Sequence, residues 1–266
     1  MENQMGKSTA ALNQFYEQIT RGEIPLDFDK IGFLNIGYWK GVEDSVELAQ
    51  INLIETLVGF FSRREGTVLD VACGKGVSTK FLTKYFDPQN ITGINISETQ
   101  LSVCKVWAPE CTFQFMDATK LGFADSSFDN VLCIEGAQHF RTRYRFLEEA
   151  YRVLAPGGRL AMHDMVLHHQ DRLDPPNVEI WPKENYMPSL DLYRDNLSKV
   201  GFRHVRVEDI TAFSMTAVMQ FLIKKLESEF DRKQNYKVLQ DAMSAVNGNS
   251  PWMPGNCTWC MAYAIK

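Results

Sequence analysis

Strand-like and helix-like segments alternate through the middle of this chain, and that order limits what it can fold into more than any other feature. Apolar runs at 67–72, 91–95 (ITGIN), 112–116 (TFQFM), 130–134 (NVLCI) and 159–165 (RLAMHDM) are separated by stretches with apolar residues at helical spacing. A strand that is left through a helix is rejoined in parallel, because such a crossover is too long for a hairpin. The order therefore predicts a parallel α/β sheet. Local signals mark its helices. Asp44 to Glu47 (DSVE) reads as a capping box, with Val46, Ala49, Leu53, Leu57 and Phe60 in helical register through Arg64. A second helix is expected to about Tyr85, and one at 144–154 should stop at Ala155 to Gly158 (APGG), where proline cannot continue it and glycine frees the turn.

Beyond 166 the order loosens. Residues 166–188 carry four prolines and read as a long surface insertion or lid. A helix at 189–200, a strand at 204–210, helix-like stretches at 213–230 and 232–246 and a final strand (CTWCMAYAIK) follow. No second core is visible, so residues 1–266 read as a single domain, with cap segments 1–64, 166–188 and 211–250 around one sheet. The chain has 266 residues, 45% of them hydrophobic, enough for a sizeable core. Its formal charge of −5, with no basic block, argues against a partner made of nucleic acid or an anionic membrane. No apolar stretch approaches the roughly 18 residues of a membrane span, and the first residues lack a signal-peptide pattern, so the chain reads as cytoplasmic with a small-molecule partner. Among the six cysteines, Cys257 and Cys260 form a CxxC without a second pair, and read as small buried thiols rather than a metal or redox site.

The segment Val68 to Gly76 (VLDVACGKG) is a buried strand running into a glycine turn and then a helix, the arrangement that holds ligands at the carboxyl end of a sheet. A side chain at Gly74 or Gly76 would keep a ligand away from the backbone. A dinucleotide fingerprint would place a third glycine at 79, which is Thr79, and no carboxylate at a strand end that receives a pyrophosphate. Asp70 suits a ligand with an ammonium group and no phosphates.

With those residues in view, VLDVACGKG resembles the first motif of class I S-adenosylmethionine-dependent methyltransferases. ITGINISETQ resembles their second-strand segment, FMDATKLGFADSSFD the third and fourth, and EEAYRVLAPGGRL the helix and turn before the fifth strand. The resemblance covers roughly residues 34–166 and is similar to the small-molecule branch acting on natural products, quinones, tocopherols and sugars. It implies a Rossmann-like, doubly wound, seven-stranded, mostly parallel sheet with helical cap and lid insertions, and S-adenosylmethionine as cofactor. By the same resemblance Asp70 would engage the methionine ammonium, Gly74 and Gly76 would pass close to the methionine part, and Asn95 and Gln100 would reach the ribose. Ile96 would pack on the adenine face, Asp117 and Ala118 would meet its edge, Glu135 would lie beside the sulfonium, and Tyr16 and Tyr38 would close over the methionine end. Most members place an acid where this chain has Asn95; an amide can still accept from one hydroxyl and donate to the other.

A hydroxyl acceptor must lose a proton. His139 lies in the loop after the fourth strand and Asp164 ends the fifth, so the two are expected as an imidazole–carboxylate general base, with Glu135 nearby. Related sugar and macrolide O-methyltransferases look similar in this placement. His163, His168, His169 and Asp171 extend the cluster, but alternation separates His163 from Asp164, and no metal is expected; His168 and His169 should begin the lid and face water or substrate. The expected activity is methylation of a small, largely apolar acceptor at oxygen. Methylation at carbon and a catalytically silent S-adenosylmethionine-binding protein are the alternatives.

Overall fold

The computed structural model describes residues 12–14, 16–18, 20–21, 34–41, 44–61, 66–169, 182–228 and 255–266. The elements alternate as expected: α1 Val46–Val58, β1 Val68–Val71, α2 Val77–Leu82, β2 Ile91–Asn95, α3 Glu98–Trp107, β3 Thr112–Phe115 and β4 Phe128–Ile134. They continue with α4 Arg143–Val153, β5 Leu154–Leu167, α5 Leu190–Val200, β6 Arg203–Asp209, α6 Met215–Ser228 and β7 Cys257–Ile265. One seven-stranded sheet has the order β3-β2-β1-β4-β5-β7-β6. β7 alone runs antiparallel to its neighbours, so the Rossmann-like, mostly parallel expectation holds.

The pleat divides each strand between two cores. Leu69, Val71, Val131, Cys133, Leu160 and Met162 pack against Phe146, Leu147 and Ala150 of α4 and Tyr193 and Leu197 of α5. Their neighbours Val68, Leu132 and Ala161 pack against Leu53, Ile54 and Leu57 of α1 and Phe81 and Leu82 of α2. Residues two apart share a face, which later decides where the strand-end carboxylates point.

Some boundaries move. Ser45, not Asp44, caps α1 by accepting from Leu48 N–H; Asp44 turns back to the N–H groups of Lys40 and Gly41, at 2.7 and 3.1 Å. The capping hydroxyl thus sits one residue later than the DSVE spacing implies, and α1 ends at Val58, where Gly59 follows, rather than at Arg64. β5 begins at Leu154, which pairs with Phe128 before a register shift, so the APGG turn lies inside the strand. The ends of the 166–188 insertion are stitched together: Leu167 N–H donates to Met187 O, and Tyr186 Oη to His168 O. The helix expected at 232–246 lies outside the described residues. Cys257 and Cys260 are buried free thiols. No helix among the described residues is long and apolar enough to cross a membrane.

Candidate active site

The parallel strands end on one rim, and two of those ends are strained. Ala72 after β1 and Glu135 after β4 both adopt left-handed backbone, with φ of +58° and +51°. Non-glycine residues reach that region at a cost of about 1–3 kcal/mol, and such strain gathers where function over-determines the backbone. The two ends touch: a Cβ on Gly136 would lie 2.5 Å from Ala72 Cβ.

Asp70 is buried in β1, facing α2, and its Oδ2 accepts from Thr79 Oγ1 at 2.7 Å and Ser78 Oγ at 2.9 Å. Burial pushes its carboxyl up to about 6, against the pull of the two hydroxyls, and no described cation offsets the charge. The turn beyond it needs its glycines for different reasons. Gly74 (φ +56°) has room beside it, since an added Cβ would meet only Leu34 Cδ1 at 3.4 Å. Gly76 (φ +81°) does not: its Cβ would lie 2.9 Å from Cys104 Cα and Sγ. The expectation that both glycines serve ligand approach is corrected for Gly76, whose bareness lets α2 pack on α3.

Past β2, Asn95 Nδ2 donates to Gln100 Oε1 at 2.8 Å, while Asn95 Oδ1 accepts from Ser97 N–H. Both amides are buried, and Gln100 Nε2 has no partner, an orphan donor at the rim. A buried unsatisfied donor costs about 1–3 kcal/mol unless a ligand meets it. Half-buried Ile96 accepts at its carbonyl from Asn13 Nδ2, which brings the N-terminal segment across this corner. Asp117 is exposed and uses Oδ1 to fix its own turn through Thr119 N–H and Oγ1; Ala118 beside it is buried.

The expected His139–Asp164 pair is corrected. Asp164 shares its face with Leu160 and Met162 and is given to the other core: Arg143 Nε reaches Oδ2 at 2.7 Å, Arg143 Nη2 reaches Oδ1 at 3.3 Å, and Tyr193 Oη donates to Oδ2 at 2.9 Å. The carboxylate is fully buried and Arg143 nearly so. His139 Nε2 instead lies 2.9 Å from Tyr16 Oη, ring edge to ring face. Burial, and behind it the Glu135 charge, raise the Tyr16 hydroxyl far above its ordinary value, so it stays a neutral phenol.

Glu135 is built in. Its Oε1 accepts from Ile36 N–H at 2.8 Å and lies 3.1 Å from His163 Nδ1, close enough to pair but outside hydrogen-bond alignment. His163 is fully buried, stacks on Trp259 and meets Ser214 Oγ at 3.4 Å. Tyr38 is half-buried against Phe213, with ring centroids 5.7 Å apart, and its N–H is held by Ala49 O. His168 does not face water or substrate as expected: Nε2 meets Thr258 Oγ1 at 2.9 Å and Nδ1 meets Gly255 O at 3.3 Å, so it ties β5 to β7. His169 is exposed, and Asp171 lies outside the described residues. No three His, Cys, Asp or Glu side chains converge at metal spacing among the described residues. Sequence reasoning missed Arg143, Tyr193 and Asn185; the parity of Asp164 with Leu160 and Met162 was the signal that pointed toward them.

Comparison with known proteins follows the same outline. Residues 69–162 match the family described as "Methyltransferase domain". An O-methyltransferase of Pyrenophora dematioidea is 32% identical over 192 residues, covering 67% of this chain and 71% of that one. The 27-O-demethylrifamycin SV methyltransferase of Amycolatopsis mediterranei (strain S699) is 31% identical over 192 residues, covering 68% and 70%. Among solved structures, a geranyl diphosphate C-methyltransferase from Streptomyces coelicolor A3(2), in complex with Mg2+, geranyl-S-thiolodiphosphate and S-adenosyl-L-homocysteine, superposes with a TM-score of 0.69. That superposition covers 97% of each chain at 13% identity, a likeness of fold alone.

Proposed function

Because the chain belongs to the methyltransferase-domain family, as a class I S-adenosylmethionine-dependent enzyme acting on small molecules, we propose that it methylates a hydroxyl oxygen of a largely apolar acceptor with His139 as general base. The single observation that carries this reading is the His139–Tyr16 contact at the rim, beside the strained end of β4. S-adenosylmethionine, when bound, supplies a methyl already activated by positive sulfur, so alignment and exclusion of water do much of the remaining work.

The residues present fit that group. Asp70, buried with its charge uncompensated, suits the ammonium, and the orphan Gln100 Nε2 with Asn95 suits the ribose hydroxyls. Asp117, Ala118 and Ile96 remain assigned to adenine, Gly74 to the methionine part, and Tyr16, Tyr38 and Glu135 to its sulfonium end. Within the chain's own machinery, His139 Nε2 exchanges its Tyr16 contact for the acceptor hydroxyl and takes its proton. Tyr16, kept neutral by burial, does not compete for that proton. Glu135, held by Ile36 N–H, favours positive charge nearby. Asp164 drops out as the direct partner of His139.

The test uses S-adenosylmethionine carrying a 13C methyl and a panel of apolar phenols and secondary alcohols. Carbon shifts of an O-methyl are expected in the product, and His139→Ala should lower turnover about 10²–10⁴-fold with S-adenosylhomocysteine affinity unchanged. Undiminished turnover by His139→Ala would remove it as base. A C-methyl shift would move the acceptor atom to carbon, and binding without turnover on any acceptor would favour a silent binding protein.

A further inference from the structure

The turn that carries His139, Ala137–His139, has no cap of its own: Gly136 precedes it without a side-chain bond, and α4 begins at Arg143. Its carbonyls are met from elsewhere. Asn185, buried where the chain returns from the 166–188 insertion, donates through Nδ2 to Ala137 O at 2.8 Å and to Gln138 O at 2.9 Å. Its Oδ1 accepts from Arg143 N–H, so one amide spans the segment from the residues before His139 to the first residue of α4. Arg143 in turn donates to the Asn185 backbone carbonyl through Nη1, to Met165 O through Nη2, and to Asp164.

We propose that Asn185 is a positioning residue for His139: its amide fixes the turn bearing the imidazole, and the Asp164–Arg143 pair fixes the amide. Asp164 then acts on His139 through two intermediaries. A side-chain amide suits this task because it alone offers two donors to adjacent carbonyls and an acceptor to a third group. The insertion is also tied to the base, since whatever moves the returning strand of chain at Lys183–Asn185 moves the carbonyls that hold His139. The catalytic consequence rests on the reading of His139 as base; the placement does not.

The experiment is 15N NMR of histidine-labelled protein saturated with S-adenosylhomocysteine. The chain has five histidines, and His139 is assigned by its absence in His139→Gln. In the native protein the Tyr16 contact should hold the His139 ring in one tautomer, and Tyr16→Phe should release it. Asn185→Ser is expected to move the His139 ring resonances and titration midpoint toward those of Tyr16→Phe, with the other four histidines unmoved and S-adenosylhomocysteine affinity within about 2-fold. Should Asn185→Ser not bind S-adenosylhomocysteine, Asn185→Asp replaces it, keeping the acceptor toward Arg143 N–H and losing only the two donors. His139 resonances unchanged in the variant that binds would overturn the inference, as would equal movement of all five histidines, which marks a general loosening. Where the methyl-transfer assay is running, Asn185→Ser should lower kcat about 10–100-fold, as a misplacement of about 1 Å does. In the His139→Ala background it should add nothing, whereas multiplying losses would overturn the inference. Moved His139 resonances together with full turnover by His139→Ala would uphold the placement and remove the base reading.

Discussion

Asp70 and Asp164 are two carboxylates buried in parallel strands of one sheet, 1% and 0% exposed, and they face opposite cores. Asp164 receives a guanidinium and a phenol. Asp70 receives two neutral hydroxyls, and its proton affinity rises accordingly, to about 6. The difference separates architecture from site. A buried acid whose charge is neutralised by a buried base belongs to the fold, whereas one left with hydrogen bonds and no counter-charge is prepared for a cation that arrives with the ligand. The rim repeats the contrast in miniature: Asn185 has its amide fully engaged, while Gln100 keeps a donor without a partner.

The comparison breaks most readily at Asp164. Asp164→Ala leaves Arg143 buried without its counter-ion and should cost about 3–5 kcal/mol, read from the urea midpoint at constant slope. A loss below about 1 kcal/mol would mean that the pair is not architectural. Asp70→Asn should have the opposite sign. An acid whose folded value of about 6 lies above the unfolded value of about 4 binds its proton more tightly when folded, so its ionisation destabilises the protein above pH 6. That burden is relieved as the pH falls from 6 to 4. The variant should therefore be more stable than the parent by up to about 2–3 kcal/mol at pH 7.5, with the gap closing toward pH 4, in paired melts across that range. Its affinity for S-adenosylmethionine should fall at the same time.

Gly76→Ala sharpens the account of the loop that follows Asp70. The left-handed backbone and the approach to Cys104 should together cost about 2 kcal/mol, and most of the loss should appear in unfolding even without ligand. The smallest effect is expected at Gln100. Gln100→Met forfeits the Asn95 bond but removes the orphan donor, so its stability should change by less than about 1 kcal/mol while S-adenosylhomocysteine binds about 5–10-fold more weakly by calorimetry.

The sheet was legible in the sequence because its signal is local. β2 occupies 91–95 as its apolar run predicts, and the Gly74–Gly76 turn follows β1 directly. Asp70 was legible too, since a carboxylate at the end of a buried strand is informative by itself. What stayed hidden required contacts distant along the chain. Asn185 lies 48 residues from Ala137 and Arg143 lies 21 from Asp164, and no spacing rule connects them. The error over Asp164 was avoidable: the alternation that set His163 apart from Asp164 also aims Asp164 at α4 and α5. The shift of the α1 cap from Asp44 to Ser45 is of another kind, for both residues can cap, and only the backbone of the preceding 34–41 segment, which uses Asp44, decides between them.

The central claim, that Asp70 is held short of a counter-charge that the ligand brings, can be read as protons. At pH 6 about half of the unliganded molecules carry a proton on Asp70. Calorimetric titration of S-adenosylmethionine at pH 6, in buffers of differing ionisation enthalpy, should show release of about half a proton per site, vanishing in Asp70→Asn and at pH 8. Binding without proton release at pH 6, or the same release from Asp70→Asn, would contradict it.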